Sequence, residues 1–196
     1  YKMKSQNEWG ELKKVVVGVA DHAIVPEIDL SVRTINYADR KDITDISVGS
    51  YPQQVIDEAN EDLEVFVNFL QRQNVEVIRP DRLETDYYNF CPRDVIFTHK
   101  DISIATPMPL RCRRDAWKPF SEILDFEVIS CDYSDELYNL ECVGNKDVLA
   151  LKELSPAFDA ANILRSNDDI LYLVSNSGNV KGAELLQEIL GDRAKV

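Results

Sequence analysis

Two stretches of the chain follow one plan. "PRDVIFTHKDISIATP" reads as strand, turn and strand, and leads through a segment ending "SEIL" into "DFEVIS". "AFDAANILRSNDDILYLVSNS" reads the same way and leads through a helix ending "QEIL" into "GDRAKV". The two lie 65 residues apart, counted from Asp94 to Asp159, and each opens with an acid. Repetition at this scale implies that each unit buries its hydrophobic face only against its neighbours, as in propellers and solenoids. The front of the chain, with a β-branched run near Val16, a long helix and the strand "VEVI", reads as a degenerate third copy. The pattern therefore predicts an α/β chain of about three ββαβ-type units, roughly 1–80, 90–132 and 155–196, in one incomplete domain. The chain opens on Tyr1, with its first Met at position 3, and the last strand of the third unit is only beginning at Val196. Both ends lead us to expect the front part of a longer repeat protein.

The unit boundaries follow from local chemistry. "LKKVVVGVA", Leu12 to Ala20, is a β-branched run suited to a strand entering a core. The polar segment from Asp21 to Ser50 has no clear period and is long for an internal loop, which marks either a lid or an element hidden from the pattern. From Pro52, apolar residues at Val55, Ile56, Ala59, Leu63, Phe66, Val67 and Leu70 recur at helical spacing. "VEVIRP" is a short strand ended by Pro80. A helix is predicted from about Arg113 to Leu124, and a strand from Phe126 to Ser130.

Bulk properties narrow the class. The net charge of −13 disfavours nucleic acid, because phosphate binding requires clustered Lys and Arg, and the longest basic cluster is "RCRRDAWK". No apolar run reaches the length of a spanning helix, and "YKMKSQNEWGELKK" contains no continuous apolar core of a secretory signal, so a soluble, cytoplasmic protein without membrane contact is expected. Cys91, Cys112, Cys131 and Cys142 show neither CxxC nor Cys/His ligand spacing, which points to reduced thiols with no metal and no cofactor.

Several words in the chain are specific enough to carry a resemblance. "NEWGELKKVVVG", "EVIRPD", "CPRDVIF", "PM" followed by Arg111 and Arg113, "DELYN" and "FDAANILR" stand in the order of similar words in the amidinotransferases, such as those of the glycine and inosamine-phosphate type. The chain thus resembles this family, part of the guanidine-modifying superfamily whose fold is a five-bladed, pseudo-symmetric α/β propeller, the pentein fold. The resemblance implies a partial propeller of about three blades. It also implies a ping-pong transfer: a cysteine thiolate attacks the guanidinium carbon of arginine, ornithine leaves, and an amine acceptor takes the amidino group. Such chemistry requires a nucleophile, a histidine that moves protons, and carboxylates that hold a planar cation. By resemblance, Asp94 falls on the position that grips the guanidinium and Asp159 on the position that orients the catalytic histidine.

The departures matter equally. Neither His22 nor His99 sits in the family's histidine word, none of the four cysteines occupies the nucleophile's place, and Asn162 stands where glycine amidinotransferase has an acid. The resemblance therefore places the catalytic His and Cys outside this chain. Read without it, Asp94 is a strand-end acid paired with Arg93 or a backbone N–H, Arg111 and Arg113 are structural cations that pair with acids, and His99 is a solvated turn residue. With it, Asp94 at the mouth of a buried strand is tolerated because its partner is a substrate cation. A guanidine hydrolase or deiminase of the same superfamily, and a non-catalytic fragment or interaction module, remain alternatives. Self-association through blade flanks left open, with Ile189, Leu190 and the strand Val15 to Val17 near the contact, is also expected.

Overall fold

A computed structural model describes residues 1–80 and 90–196; Asp81, the last residue of the word "EVIRPD", lies outside the described residues. The front of the chain pairs β1 (Lys14–Val16) with β4 (Glu76–Ile78) in parallel, Val15 opposite Val77. A parallel pair requires a long crossover, and α2 (Gln53–Arg72) is its principal element. Its Val67 and Leu70 pack with Val17 and Val75 into one apolar cluster. Gln53 and Gln54 donate to Asp57 and Glu58 one turn later, both at 2.8 Å, which supports the exposed face. Asn74 then reverses the chain at φ 60°, a left-handed conformation that Asn tolerates well.

The segment from Asp21 to Ser50 does hide structure. β2 (Ile24–Val25) pairs antiparallel with β3 (Gly49–Ser50), and α1 (Leu30–Asn36) lies between them. Asp29 caps α1 by accepting the Val32 N–H at 2.9 Å, and Val32 is fully buried against Val95, Met108 and Leu110. Short length explains why no period was visible: seven residues make two turns.

The repeated units are two antiparallel hairpins, β5 (Ile96–His99) with β6 (Ile102–Ala105), and β8 (Ile163–Ser166) with β9 (Asp169–Tyr172). Both turn on a left-handed residue, Lys100 at φ 52° and Asn167 at φ 58°. The strands repeat at an offset of 67, Ile96 to Ile163 and Ile102 to Asp169, two more than the spacing of the acids. β7 (Glu127–Val128) runs parallel beside β6, and Lys195 makes the corresponding bridge to Asp169 in the later unit. The later unit inserts α3 (Val180–Leu190) before that bridge. The earlier one does not form the helix predicted from Arg113 to Leu124. Instead, 3-10 turns occupy Arg111–Arg113 and Lys118–Phe120. Pro119 cannot donate to a carbonyl four residues back and would crowd it. The succession of tight turns still buries Ala116, Phe120 and Leu124, the spacing that mimicked a helix.

The two units share a core: Phe97 and Ile104 from the earlier hairpin pack with Phe158, Ile170, Leu186 and Leu190 from the later unit. His99, two residues beyond Phe97, faces the same way and is fully buried, its ring stacked on Phe97 at 6.5 Å. The solvated reading of His99 is therefore corrected. Alternation along β5 outweighs the charged neighbours in "HKD". Burial, aided by the charges of Lys100 and Arg165, lowers its pKa. Across the tips of both hairpins runs an N-terminal strap: Ser5 bridges to Lys100, Asn7 bridges to Ser166, and Glu8 accepts a two-pronged ion pair from Arg165 at 3.0 and 2.9 Å.

Candidate active site

Each acid sits on a tight turn that feeds the first strand of its hairpin. Asp94 closes the 3-10 turn Pro92–Asp94, where proline's fixed φ suits the first position. Asp159 precedes the turn Ala160–Asn162 and caps it, its carboxylate accepting the Ala161 N–H at 2.9 Å. Because the strands repeat at 67 and the acids at 65, the two are not equivalent positions: Asp159 corresponds to Pro92, and Asp94 to Ala161. They approach from opposite ends of like turns.

Arg93 joins those turns. Its guanidinium donates to the carbonyls of Ala160 at 3.1 Å and Ile163 at 2.9 Å in the later unit. The consequence is electrical. The Asp159 carboxyl is pushed up to about 6, first by burial and next by the charge of Asp94, against the Ala161 N–H and the Arg113 cation that favour ionisation. The charge of Asp94 therefore reaches Asp159 across the joined turns.

Asp94 also has a partner within the chain. Arg113 donates to its Oδ2 at 2.9 Å and to the Cys91 carbonyl at 3.1 Å. The structural reading of Arg113 thus accounts for the acid at the strand mouth without invoking a substrate. The pair is asymmetric, the Arg113 side chain being 2% exposed and that of Asp94 24%. Asp94 lines a cleft of about 490 Å³ together with Val15, Val17, Leu63, Phe66 and Arg165. Burial, with the Asp94 charge, raises the pKa of the nearby Cys91 thiol, which makes it a poor nucleophile.

Behind Asp159 lies a polar layer that no sequence pattern announced. Asn162, buried, donates to Asp159 Oδ1 at 3.2 Å and to the Ser177 carbonyl at 2.9 Å, while its oxygen accepts from Ser175 Oγ at 2.7 Å. The only available signal was "FDAAN" itself, with "SNS" beyond the hairpin. Among the described residues, no group of three or more His, Cys, Asp and Glu is placed to hold a metal, and no helix is long and apolar enough to cross a membrane.

No protein-family model matches the chain. Over 218 residues it is 36% identical to inosamine-phosphate amidinotransferase 1 of Streptomyces glaucescens, an alignment covering 97% of this chain and 60% of that protein. The solved inosamine-phosphate amidinotransferase of Streptomyces griseus superposes with a TM-score of 0.87 at 32% identity, covering 98% of this chain and 61% of that one. A DDAH from Pseudomonas aeruginosa, solved with citrulline, superposes with a TM-score of 0.55 at 16% identity, covering 93% and 58%, which is a likeness of fold. The fold is that of the penteins, as a partial α/β propeller of about three blades. Within it, the chain is homologous to the amidinotransferases and spans about 60% of the length of the inosamine-phosphate enzymes it matches.

Proposed function

We propose that this chain is the N-terminal portion of an amidinotransferase that moves the amidino group of arginine to an amine through a Cys-amidino intermediate. In this reading Asp94 grips the guanidinium and Asp159 orients the histidine, while the histidine and the thiolate lie outside residues 1–196. The observation that supports it is the joining of two acid-bearing turns by Arg93, with Asp94 lining a cleft and its charge reaching the buried Asp159. Carboxylates so placed suit a planar cation that presents parallel N–H donors. Transfer is favoured over hydrolysis because the kinship in sequence is with amidinotransferases, whereas the DDAH likeness is one of fold alone.

Exposing the chain to arginine labelled in its guanidino carbon, followed by acid quench and mass spectrometry, should leave no labelled protein. A stoichiometric adduct on Cys91 or any other cysteine here would place the nucleophile within the chain and sink this reading. A cytoplasmic setting belongs to the same proposal.

The proposal includes self-association. Of the residues expected at the contact, Leu190 is fully buried in the core that α3 shares with both hairpins. The open face lies elsewhere. Phe97 and Ile104, 4% and 1% exposed, are covered by the later unit, whereas their counterparts at the 67-residue offset, Leu164 and Leu171, are 52% and 63% exposed. Those two leucines pair across the strands, and Leu173 extends the apolar face. Sedimentation should show association that strengthens with concentration and weakens at least tenfold in Leu171→Lys. A monomer at every concentration would refute this part.

A further inference from the structure

The cleft carboxylate is held from inside the protein, and the manner of holding has a consequence for what it can bind. Arg113 is almost wholly buried, and its two terminal nitrogens are fixed differently, one on Asp94 Oδ2 and one on the backbone carbonyl of Cys91. Cys91 is the residue from which the Pro92–Asp94 turn starts. One guanidinium therefore grips both the residue that precedes the turn and the side chain of its last. Arg113 comes from a different element, the 3-10 turn Arg111–Arg113, which Leu110 anchors in the apolar cluster of Val32, Val95 and Met108. The fork is thus rooted in the core and is not a surface side chain that could swing out to compete for Asp94. Arg93, on the same turn as Asp94, is committed to Ala160 and Ile163.

We propose that Arg113 is a positioning residue for Asp94: it fixes one carboxylate oxygen from the protein side and presents the carboxylate, in a single orientation, to a guanidinium in the cleft. This rests on the guanidinium site proposed above and adds the group that orients it. A planar, five-donor fork suits the role, because it satisfies a carboxylate and a carbonyl at once with fixed geometry. Lysine carries the charge on a single rotating ammonium.

Charge and positioning make opposite forecasts. Removing a buried cation near the cleft should, by relief of Coulomb repulsion alone, tighten the binding of another cation. Removing a positioning residue should weaken it. The experiment compares wild type, Arg113→Met and Arg113→Lys in the same 196-residue chain, using NMR couplings across χ1 of Asp94 and titration with L-arginine. Circular dichroism establishes that each variant is folded. Wild type should show one Asp94 rotamer; Arg113→Met should show averaging and bind arginine at least tenfold more weakly, with Arg113→Lys between the two. If Arg113→Met does not fold, Arg113→Lys carries the same comparison, with averaging and weaker binding expected. A folded variant with an unchanged Asp94 rotamer overturns the proposal, as does averaging accompanied by equal or tighter binding. Averaging in a set where wild type itself fails to bind arginine supports the positioning role and removes the guanidinium site instead.

Discussion

Asp159→Asn is expected to raise the unfolding free energy of the chain by about 3 kcal/mol above pH 7, and by nothing measurable below pH 4. The carboxyl is pushed from its ordinary value of 3.8 to about 6 by burial and by the Asp94 charge. The folded state therefore binds this proton more tightly than the unfolded chain does. That contribution to stability is fully present below 3.8 and is lost as pH rises through about 6. A gap of about two pKa units, at 1.36 kcal/mol each, sets the magnitude. Asparagine keeps an oxygen to accept the Ala161 N–H but has no proton to lose. Urea unfolding of both proteins at intervals from pH 3.5 to 8 checks the forecast: the two curves should meet at the acid end and part between pH 4 and 7. Parallel curves would mean that Asp159 ionises in the folded chain as readily as in the unfolded one. A gain in stability on removing this acid fits a residue kept for a task other than folding.

Asn179→Ala carries the opposite sign and a larger size, a loss of about 4 kcal/mol. Asn179 is buried and uses its whole amide. Its oxygen accepts the N–H groups of Ala157 at 3.0 Å and Gly182 at 2.9 Å, and its nitrogen donates to the carbonyls of Lys152 at 3.0 Å and Ser155 at 2.8 Å. It is at once the cap of α3 and the tie between that helix and the segment Lys152–Ala157 that leads to Asp159. Losing a cap costs about 1 kcal/mol. Leaving buried donors and acceptors unmatched adds about 1–3 kcal/mol, and here four groups are affected. Asn179→Ser, which can still accept at the helix start, should lose about half as much. Denaturant midpoints with unchanged slopes measure both, and an effect under about 1 kcal/mol for alanine would show that water replaces the amide without strain.

What was legible in the sequence follows the range of the interactions involved. The hairpins and α2 could be read because alternation and helical spacing are written in adjacent residues, and the words around Asp94 and Asp159 placed both acids beside strands. The Arg113–Asp94 pair joins residues 19 apart through a turn with no pattern of its own, so only folding reveals that the acid is already partnered. His99 failed for a related reason: its neighbours Lys100 and Asp101 advertise solvent, while the decisive fact is that it shares a face with Phe97. The helix expected from Arg113 to Leu124 failed because burial every fourth residue is compatible with successive 3-10 turns once Pro119 forbids the longer hydrogen bond. The offset of two between acids and strands was invisible because both spacings fit the same pair of words.

The N-terminal strap has a consequence for the order of events during synthesis. Glu8 and its partner Arg165 are 157 residues apart, about four-fifths of the chain. Asn7 and Glu8 are therefore made long before their partners and cannot dock until the second hairpin has been translated, whereas Ser5 can meet Lys100 once the first is made. Contacts of such span raise contact order and slow folding. Throughout that interval the backbone groups of Asn7 that later meet Ser166 form an unpaired strand edge, open to the wrong neighbour.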